Sequence, residues 1–254
     1  MAGVSAPRLD TRTAAVTGGA SGIGRAVAIA LARAGAAVAV LDVNEVGAAD
    51  VAREIAAFGG RAVALSCDVT DTAAVTAAAA RVRSLLGPAH VLVNSHGISG
   101  FGTVPTLAEA DWLRMIDVHL NGVFRTCTAF AGDMLDAGWG RIVNVSSVGG
   151  LRGGPMLVHY AAAKAGVVGF TKALAVDLGP KGITVNAVAP GLVDTPMLRA
   201  SGLSESVKAA AIAQMPIRRL GTPDDVAAAC LFLVSEAAGW FTGQVVSPNG
   251  GGHL

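Results

Sequence analysis

Seven short apolar runs that do not alternate apolar with polar residues most constrain what this chain can fold into. They are Thr13–Thr17, Ala37–Leu41, Arg61–Ser66, Val91–Asn94, Ile142–Ser146, Ile183–Val188 and Gln244–Ser247, and they are rich in Val, Ile and Ala. A strand with one wet face alternates; a strand without alternation is buried on both faces. Segments of helical length separate the early runs, at Ile23–Ala34, Glu45–Phe58 and Thr72–Leu86. This order predicts an α/β fold, a parallel sheet of about seven strands with helices on both faces. The 254 residues suit one domain, and a 52% apolar composition supplies a large core. Residues 1–12 read as a flexible leader and 13–254 as the domain. The long interruption after the sixth run holds Pro196 and Gly202 and reads as a lid over 192–215.

The net charge is +1, without runs of one sign. That argues against nucleic acid or an anionic membrane as a partner held by bulk electrostatics. Cys67, Cys127 and Cys230 have neither disulfide nor zinc spacing, so no metal site is expected and a reducing, cytoplasmic location is the simplest reading. The most apolar stretch, Ala26–Leu41, is broken by Arg33 and Gly35 and is too short to span a bilayer.

Between the first run and the first helix lies Thr17-Gly18-Gly19-Ala20-Ser21-Gly22-Ile23-Gly24. Glycines permit a tight turn and let backbone N–H groups approach a phosphate, where the helix N-terminus adds its partial positive charge. Asp42 follows eighteen positions after Gly24, at the end of the second run. A carboxylate there accepts both hydroxyls of an adenosine ribose. It repels a 2′-phosphate by about 4 kcal/mol if the charges stand about 4 Å apart at an effective dielectric of about 20. Neither Ser21 nor Val43 supplies a compensating cation, which favours NAD over NADP. Asp42 can also be read as the N-cap of the following helix.

Tyr160 is the only tyrosine, and Lys164, one of four lysines, follows it by four places. On a helix the two share a face. A tyrosine hydroxyl titrates near 10 and is a poor base; a neighbouring ammonium lowers that value. Tyr160 thereby becomes a candidate for proton exchange with a hydroxyl or carbonyl oxygen.

These features together resemble the short-chain dehydrogenase/reductase family, in its shorter form, over Thr13 to Gly251. Thr17–Gly24 meets its TGxxxGxG pattern and Tyr160–Lys164 its YxxxK. Ser147 stands thirteen residues before the tyrosine, at the place of the family's catalytic serine. Pro190-Gly191 meets its PG motif, with Val193 and Thr195 following, and Asp68-Val69 matches the pair beside the adenine. The resemblance implies a doubly wound Rossmann fold and an NAD-dependent oxidoreductase acting on a secondary alcohol or its ketone. Gly18, Ser21, Gly22, Ile23 and Gly24 would meet the phosphates. Asp42, Val43, Asp68 and Val69 would meet the adenosine. Asn94, His96, Gly97, Pro190, Gly191, Val193 and Thr195 would meet the nicotinamide half. Ser147 would bond the substrate oxygen, Tyr160 would exchange the proton, and Lys164 would hold the ribose and tune the tyrosine.

The chain departs from that pattern in several places. The family's NNAG reads Asn94-Ser95-His96-Gly97 here. Its VNLxGVF reads Val118-His119-Leu120-Asn121-Gly122-Val123-Phe124, so His119 occupies the place of a catalytic asparagine. Asn121 would face about 160° away on a helix. Either His119 takes over a water-holding role in proton relay or it is a packed helix histidine. Pro248-Asn249-Gly250 stands where the family commonly has an aspartate before the glycines.

The resemblance implies a substrate region that holds Leu151, Pro155, Met156, Leu157, Met197, Leu198 and Met215, which suits an apolar small molecule. Arg152 and Arg199 are either anion contacts or solvated charges. Two further readings stand beside this one: a 3-oxoacyl-carrier-protein reductase and a catalytically silent dinucleotide sensor. The segment from Tyr160 to Leu178 is apolar or small around most of its circumference. With the resemblance, that implies a second subunit, in a homotetramer or a dimer.

Overall fold

The computed structural model describes residues 8–254. Seven parallel strands form one sheet in the order β3-β2-β1-β4-β5-β6-β7. They are β1 Thr13–Thr17, β2 Ala37–Asp42, β3 Ala62–Ser66, β4 Val91–Asn94, β5 Gly140–Val145, β6 Ile183–Val188 and β7 Val245–Val246. The absence of alternation in the sequence has its cause in the layering. Ala14 and Val16 of β1 enter one core cluster, and Ala15 between them enters the other. One face is covered by α1 (Gly22–Arg33), α2 (Glu45–Ala57) and α10 (Pro223–Val234), the other by α3 (Thr72–Leu86), α5 (Gly122–Ala137) and α7 (Val158–Leu178).

Four strands differ from their sequence reading, β2 by reaching Asp42, β3 by starting at Ala62, and β5 and β7 at both ends. β5 begins at Gly140, two residues ahead of Ile142, because Arg141 lies inside it at 4% exposure. Its guanidinium sits over the Trp139 ring at 4.3 Å and bonds Glu236 at 3.4 Å, so a charged residue hides in a buried strand. β7 has two paired residues, and the Gln244 carbonyl extends the ladder by accepting from the Ala187 N–H.

The leader expected over 1–12 does not reach Leu9. That side chain is buried, its N–H bonds the Ala34 carbonyl at 2.7 Å, and Arg12 stacks on Trp139 at 3.8 Å. Residues 1–7 lie outside the described part. The 192–215 segment carries two short helices, α8 (Pro196–Ala200) and α9 (Glu205–Gln214). Among the described residues no helix is long and apolar enough to cross a membrane.

The strand order reverses between β1 and β4, and a crevice opens outside the carboxyl ends of those strands. After β4 the chain runs through α4 (Glu109–Ile116) and a π-helical turn, Asp117–Asn121, into α5. Such turns are rare and recur at functional sites. This one carries His119.

Candidate active site

The crevice is a cleft of about 1650 Å³. At one end the glycine loop folds tightly on itself. A Cβ on Gly24 would lie 2.1 Å from the Gly18 carbonyl oxygen, and one on Gly18, at φ 63°, would lie 2.7 Å from the His96 Cα. Only glycine fits these places. Ser21 is the N-cap of α1 but makes no side-chain cap bond, and Ser21, Gly22, Ile23 and Gly24 all line the cleft. A helix N-terminus without a cap is a fit for a diphosphate.

Asp42 lines the same cleft. Its Oδ2 accepts from the Ala20 N–H at 3.0 Å and its Oδ1 from the Asn44 N–H at 2.9 Å, which fixes the carboxylate while leaving a lone pair on each oxygen. The cap of α2 is Asn44, not Asp42: its side chain accepts from the Gly47 N–H. Asp68 accepts from the Thr70 N–H and hydroxyl at 2.9 and 2.7 Å, and these bonds hold its carboxyl below the ordinary range.

Across the cleft, Ser147 caps the short helix α6 (Val148–Arg152), its Oγ accepting from the Gly149 N–H at 3.0 Å. A Cβ on Gly149 would stand at ordinary contact distance, 3.4 Å, from both Ser147 Oγ and Tyr160 Cε1, so both side chains border this turn. Lys164 lies one turn along α7 from Tyr160, with Nζ 5.9 Å from the ring centroid. The Lys164 ammonium donates to the Val145 carbonyl at 2.7 Å. Burial lowers Lys164 to about 7. Burial also raises the Tyr160 hydroxyl, while Ser147 pulls it the other way. In the chain alone, desolvation therefore outweighs the tuning expected from the lysine.

His119 is 1% exposed, and its ring meets Tyr160 edge to face at 5.4 Å between centroids. Its Nε2 stands 2.8 Å from the Ile98 carbonyl oxygen and 3.1 Å from the Ile98 N–H. One nitrogen serves only one of these in a given tautomer. Asn121 is exposed and donates to Asp117. His96 stands 2.6 Å from Thr17 Oγ1 through Nδ1. Burial, then the nearby Lys164, pushes His96 down to about 3, and the same two causes lower His119.

A family model described as Enoyl-(Acyl carrier protein) reductase matches residues 18–253. A 3-oxoacyl-acyl-carrier-protein reductase of Chlamydia muridarum is 38% identical, over 96% of this chain and 98% of its own. The chain belongs to the short-chain dehydrogenase/reductase family. An acetoacetyl-CoA reductase of Shinella zoogloeoides is 42% identical, over 95% of this chain and 98% of its own. Among solved structures, a putative NAD(P)-dependent gluconate 5-dehydrogenase from Beutenbergia cavernae, with bound NADP, superposes at a TM-score of 0.92. It is 37% identical and covers 97% of this chain and 98% of its own. This short-chain dehydrogenase/reductase is an oxidoreductase that uses a nicotinamide dinucleotide.

Of the residues expected to act in catalysis or to hold the dinucleotide, all but Asn94 line the cleft, whereas Leu151 and Met215 of the expected substrate region do not. Asn94 points away from it. It donates to Asn144 Oδ1 at 2.9 Å and accepts from Thr126 Oγ1 at 2.7 Å, tying β4 to β5 and α5. Last in β4 and 1% exposed, its side chain falls on the α5 face. Arg199 is held by Asp194 at 2.9 and 3.0 Å and does not line the cleft, whereas Arg152 does. Sequence reasoning missed Phe101, Leu113 and Arg114, which line the cleft ahead of the π turn. Leu113 and Arg114 lie six and five residues before His119, at neither of the spacings that share a helical face, so the sequence carried no signal for them.

Proposed function

We propose that this enzyme uses NAD and interconverts a secondary alcohol and its ketone, with Tyr160 as the proton carrier. The observation that carries the reading is one cleft lined by the glycine loop, Asp42, Ser147, Tyr160 and Lys164. The dinucleotide supplies or accepts the hydride. Gly18 and the α1 N-terminus hold its phosphates, Asp42 its adenosine ribose, and Lys164 its second ribose. Val43, Asp68 and Val69 flank the adenine. Gly97, Pro190, Gly191, Val193 and Thr195 shape the nicotinamide end.

Ser147 donates to the substrate oxygen and keeps it beside Tyr160. In the reducing direction the Tyr160 hydroxyl, held protonated by burial, gives its proton to that oxygen as charge develops there. In the oxidising direction it must first lose the proton, and a charged Lys164 stabilises the phenolate. His119 replaces the family asparagine as the fixed post beside Tyr160. Phe101, Leu113, Met156 and Leu157, with Met197 on the lid segment, suit an apolar substrate.

A 3-oxoacyl thioester is the second reading, favoured by the names of the two relatives at 38% and 42% identity. Val176, at a place where an arginine would suit an acidic carrier, speaks against a carrier-bound form.

The test is a panel of secondary alcohols, ketones and 3-oxoacyl thioesters, followed at the reduced-nicotinamide absorbance with each dinucleotide. NAD(H) is expected to give the higher kcat/KM, and Asp42→Ala to shrink the gap by about tenfold or more, the loss of one charge-assisted contact. Equal or better efficiency with NADP(H) in the unmodified protein sinks the cofactor assignment. Three buried free cysteines suit a reducing compartment, which supports a cytoplasmic location.

A further inference from the structure

The turn after β4 and the helical turn entering α5 exchange a histidine for a glycine in both directions. His96 lies on Gly122: a Cβ there would stand 2.8 Å from His96 Nε2. His119 lies on Gly97: a Cβ there would stand 2.4 Å from His119 Cε1 and 3.0 Å from Nδ1. Each ring is wedged against the backbone of the other segment and cannot swing without moving it. Each also reaches outward. His96 meets Thr17, the first residue of the glycine loop, and His119 meets the Tyr160 ring.

The other nitrogens, His96 Nε2 and His119 Nδ1, are buried and make no well-formed hydrogen bond among the described residues, the Val118 backbone acting only weakly on the His96 ring. An apolar side chain at either place would avoid leaving such an atom unsatisfied, so stability alone does not account for two imidazoles. Both rings line the cleft between its two working ends.

We propose that His96 and His119 are positioning residues of one interlock, which couples the seating of the dinucleotide at the glycine loop to the placement of Tyr160. The contacts run from Thr17 to His96, across Gly122 into α5 and the π turn, and from His119 to Tyr160. Pressure on the loop by a bound diphosphate is passed on because each step is a packed ring on a backbone, not a flexible chain. Spatial succession by itself is only an association, so the claim needs a measured coupling.

The test is a double-mutant cycle on the full chain, with His96→Ala, His119→Asn and both together. Dinucleotide Kd is read by calorimetric titration and kcat at saturating dinucleotide. His96→Ala is expected to raise the Kd about tenfold, since it leaves Thr17 Oγ1 without its closest partner. It should also lower kcat. His119→Asn should lower kcat with the Kd within about twofold. The double variant should lose less in kcat than the product of the singles by about threefold or more. An unchanged Kd in His96→Ala, or singles that simply multiply, overturns the interlock. If His96→Ala does not fold, Thr17→Val removes the same contact and must raise the Kd similarly.

A melting experiment tests the contacts without turnover. Gly97→Ala should lower the Tm in the native background and have little effect in a His119→Ala background. Equal losses in both refute the ring-on-glycine contact. The kcat arm rests on the oxidoreductase reading, whereas the titration and melting arms do not. A native protein inert toward every carbonyl and alcohol would refute that reading and leave those two arms to decide the interlock.

Discussion

Tyr160 is half-buried and packs its ring edge to face on His119, so deleting its oxygen leaves the packing of the ring in place. Tyr160→Phe should therefore cut turnover by about 10²- to 10⁴-fold, the usual size of general acid–base contributions. The Tm should stay within about 2 °C and the dinucleotide Kd within about twofold. A variant that retains most of its turnover shows that another group moves the proton. Lys164→Arg should lose both binding and turnover, because a planar guanidinium does not fit where a compact ammonium meets the Val145 carbonyl at 2.7 Å.

The buried histidines make a pH prediction. His96, lowered from 6.5 to about 3, and His119, lowered too, bind fewer protons folded than unfolded. Their stability is present above pH 6.5 and is lost as pH falls from 6.5 toward about 3, by up to about 1.4 kcal/mol per unit for each group. Lys164 has the same sign in a higher window, between 10.5 and about 7, so it adds to the decline between pH 7.5 and 6.5 and fades below it. Urea unfolding at pH 7.5, 6.5 and 5.5 should show the decline, and the double variant His96→Ala, His119→Asn should flatten it. His90, lowered by partial burial, leaves a smaller residual slope. An undiminished slope in the double variant contradicts the assignment.

At the scale of elements, helix starts were written in local chemistry and strand limits were not. Asp71 caps α3 by accepting from Ala73 and Ala74, and that helix begins where its sequence pattern begins, at Thr72. Thr222 and Asp225 form a reciprocal capping box at α10, with Pro223 in the first turn and Arg219 bonded to Asp225. Thr222→Ala should cost about 1 kcal/mol and lower the Tm by about 2–4 °C. A change in thermal melting below about 0.5 °C would mean that packing alone holds that end. The start of β5 was hidden because Arg141 looks like a surface residue until Trp139 and Glu236 are beside it. The π turn was equally hidden, since the shift of about 100° that one extra residue puts into the apolar pattern is not legible across a single five-residue turn.

At the scale of the whole molecule, α7 meets the sheet through Ala163, Val167, Thr171 and Ala175 and exposes Ala165, Gly169, Ala173 and Val176. Phe124 of α5, 56% exposed, lies edge to face with Phe170 of α7. An apolar helical face next to an exposed aromatic is a surface for a second copy. We propose a homotetramer, with a dimer as the smaller closed form. Gly169→Glu should dissociate it into smaller species, read by light scattering at micromolar concentration. A native protein that is a folded monomer there refutes the proposal.

Sequence alone determined the layered parallel sheet, the glycine loop, Asp42 and the Ser147, Tyr160 and Lys164 set. The sheet, the loop and the Tyr160–Lys164 pair rest on local periodicity, backbone freedom at glycine and fixed helical spacing, all written along the chain, whereas Ser147 came from the family resemblance. Tertiary structure decided the rest. It turned Asn94 from the cleft into the core, took Arg199 into an ion pair with Asp194, and brought Leu9 into the core. It set the direction of the Tyr160 shift, because desolvation depends on what surrounds a side chain and not on its neighbours in sequence. It also placed His96 on Gly122 and His119 on Gly97, a crossed contact between segments about 25 residues apart that only packing can create.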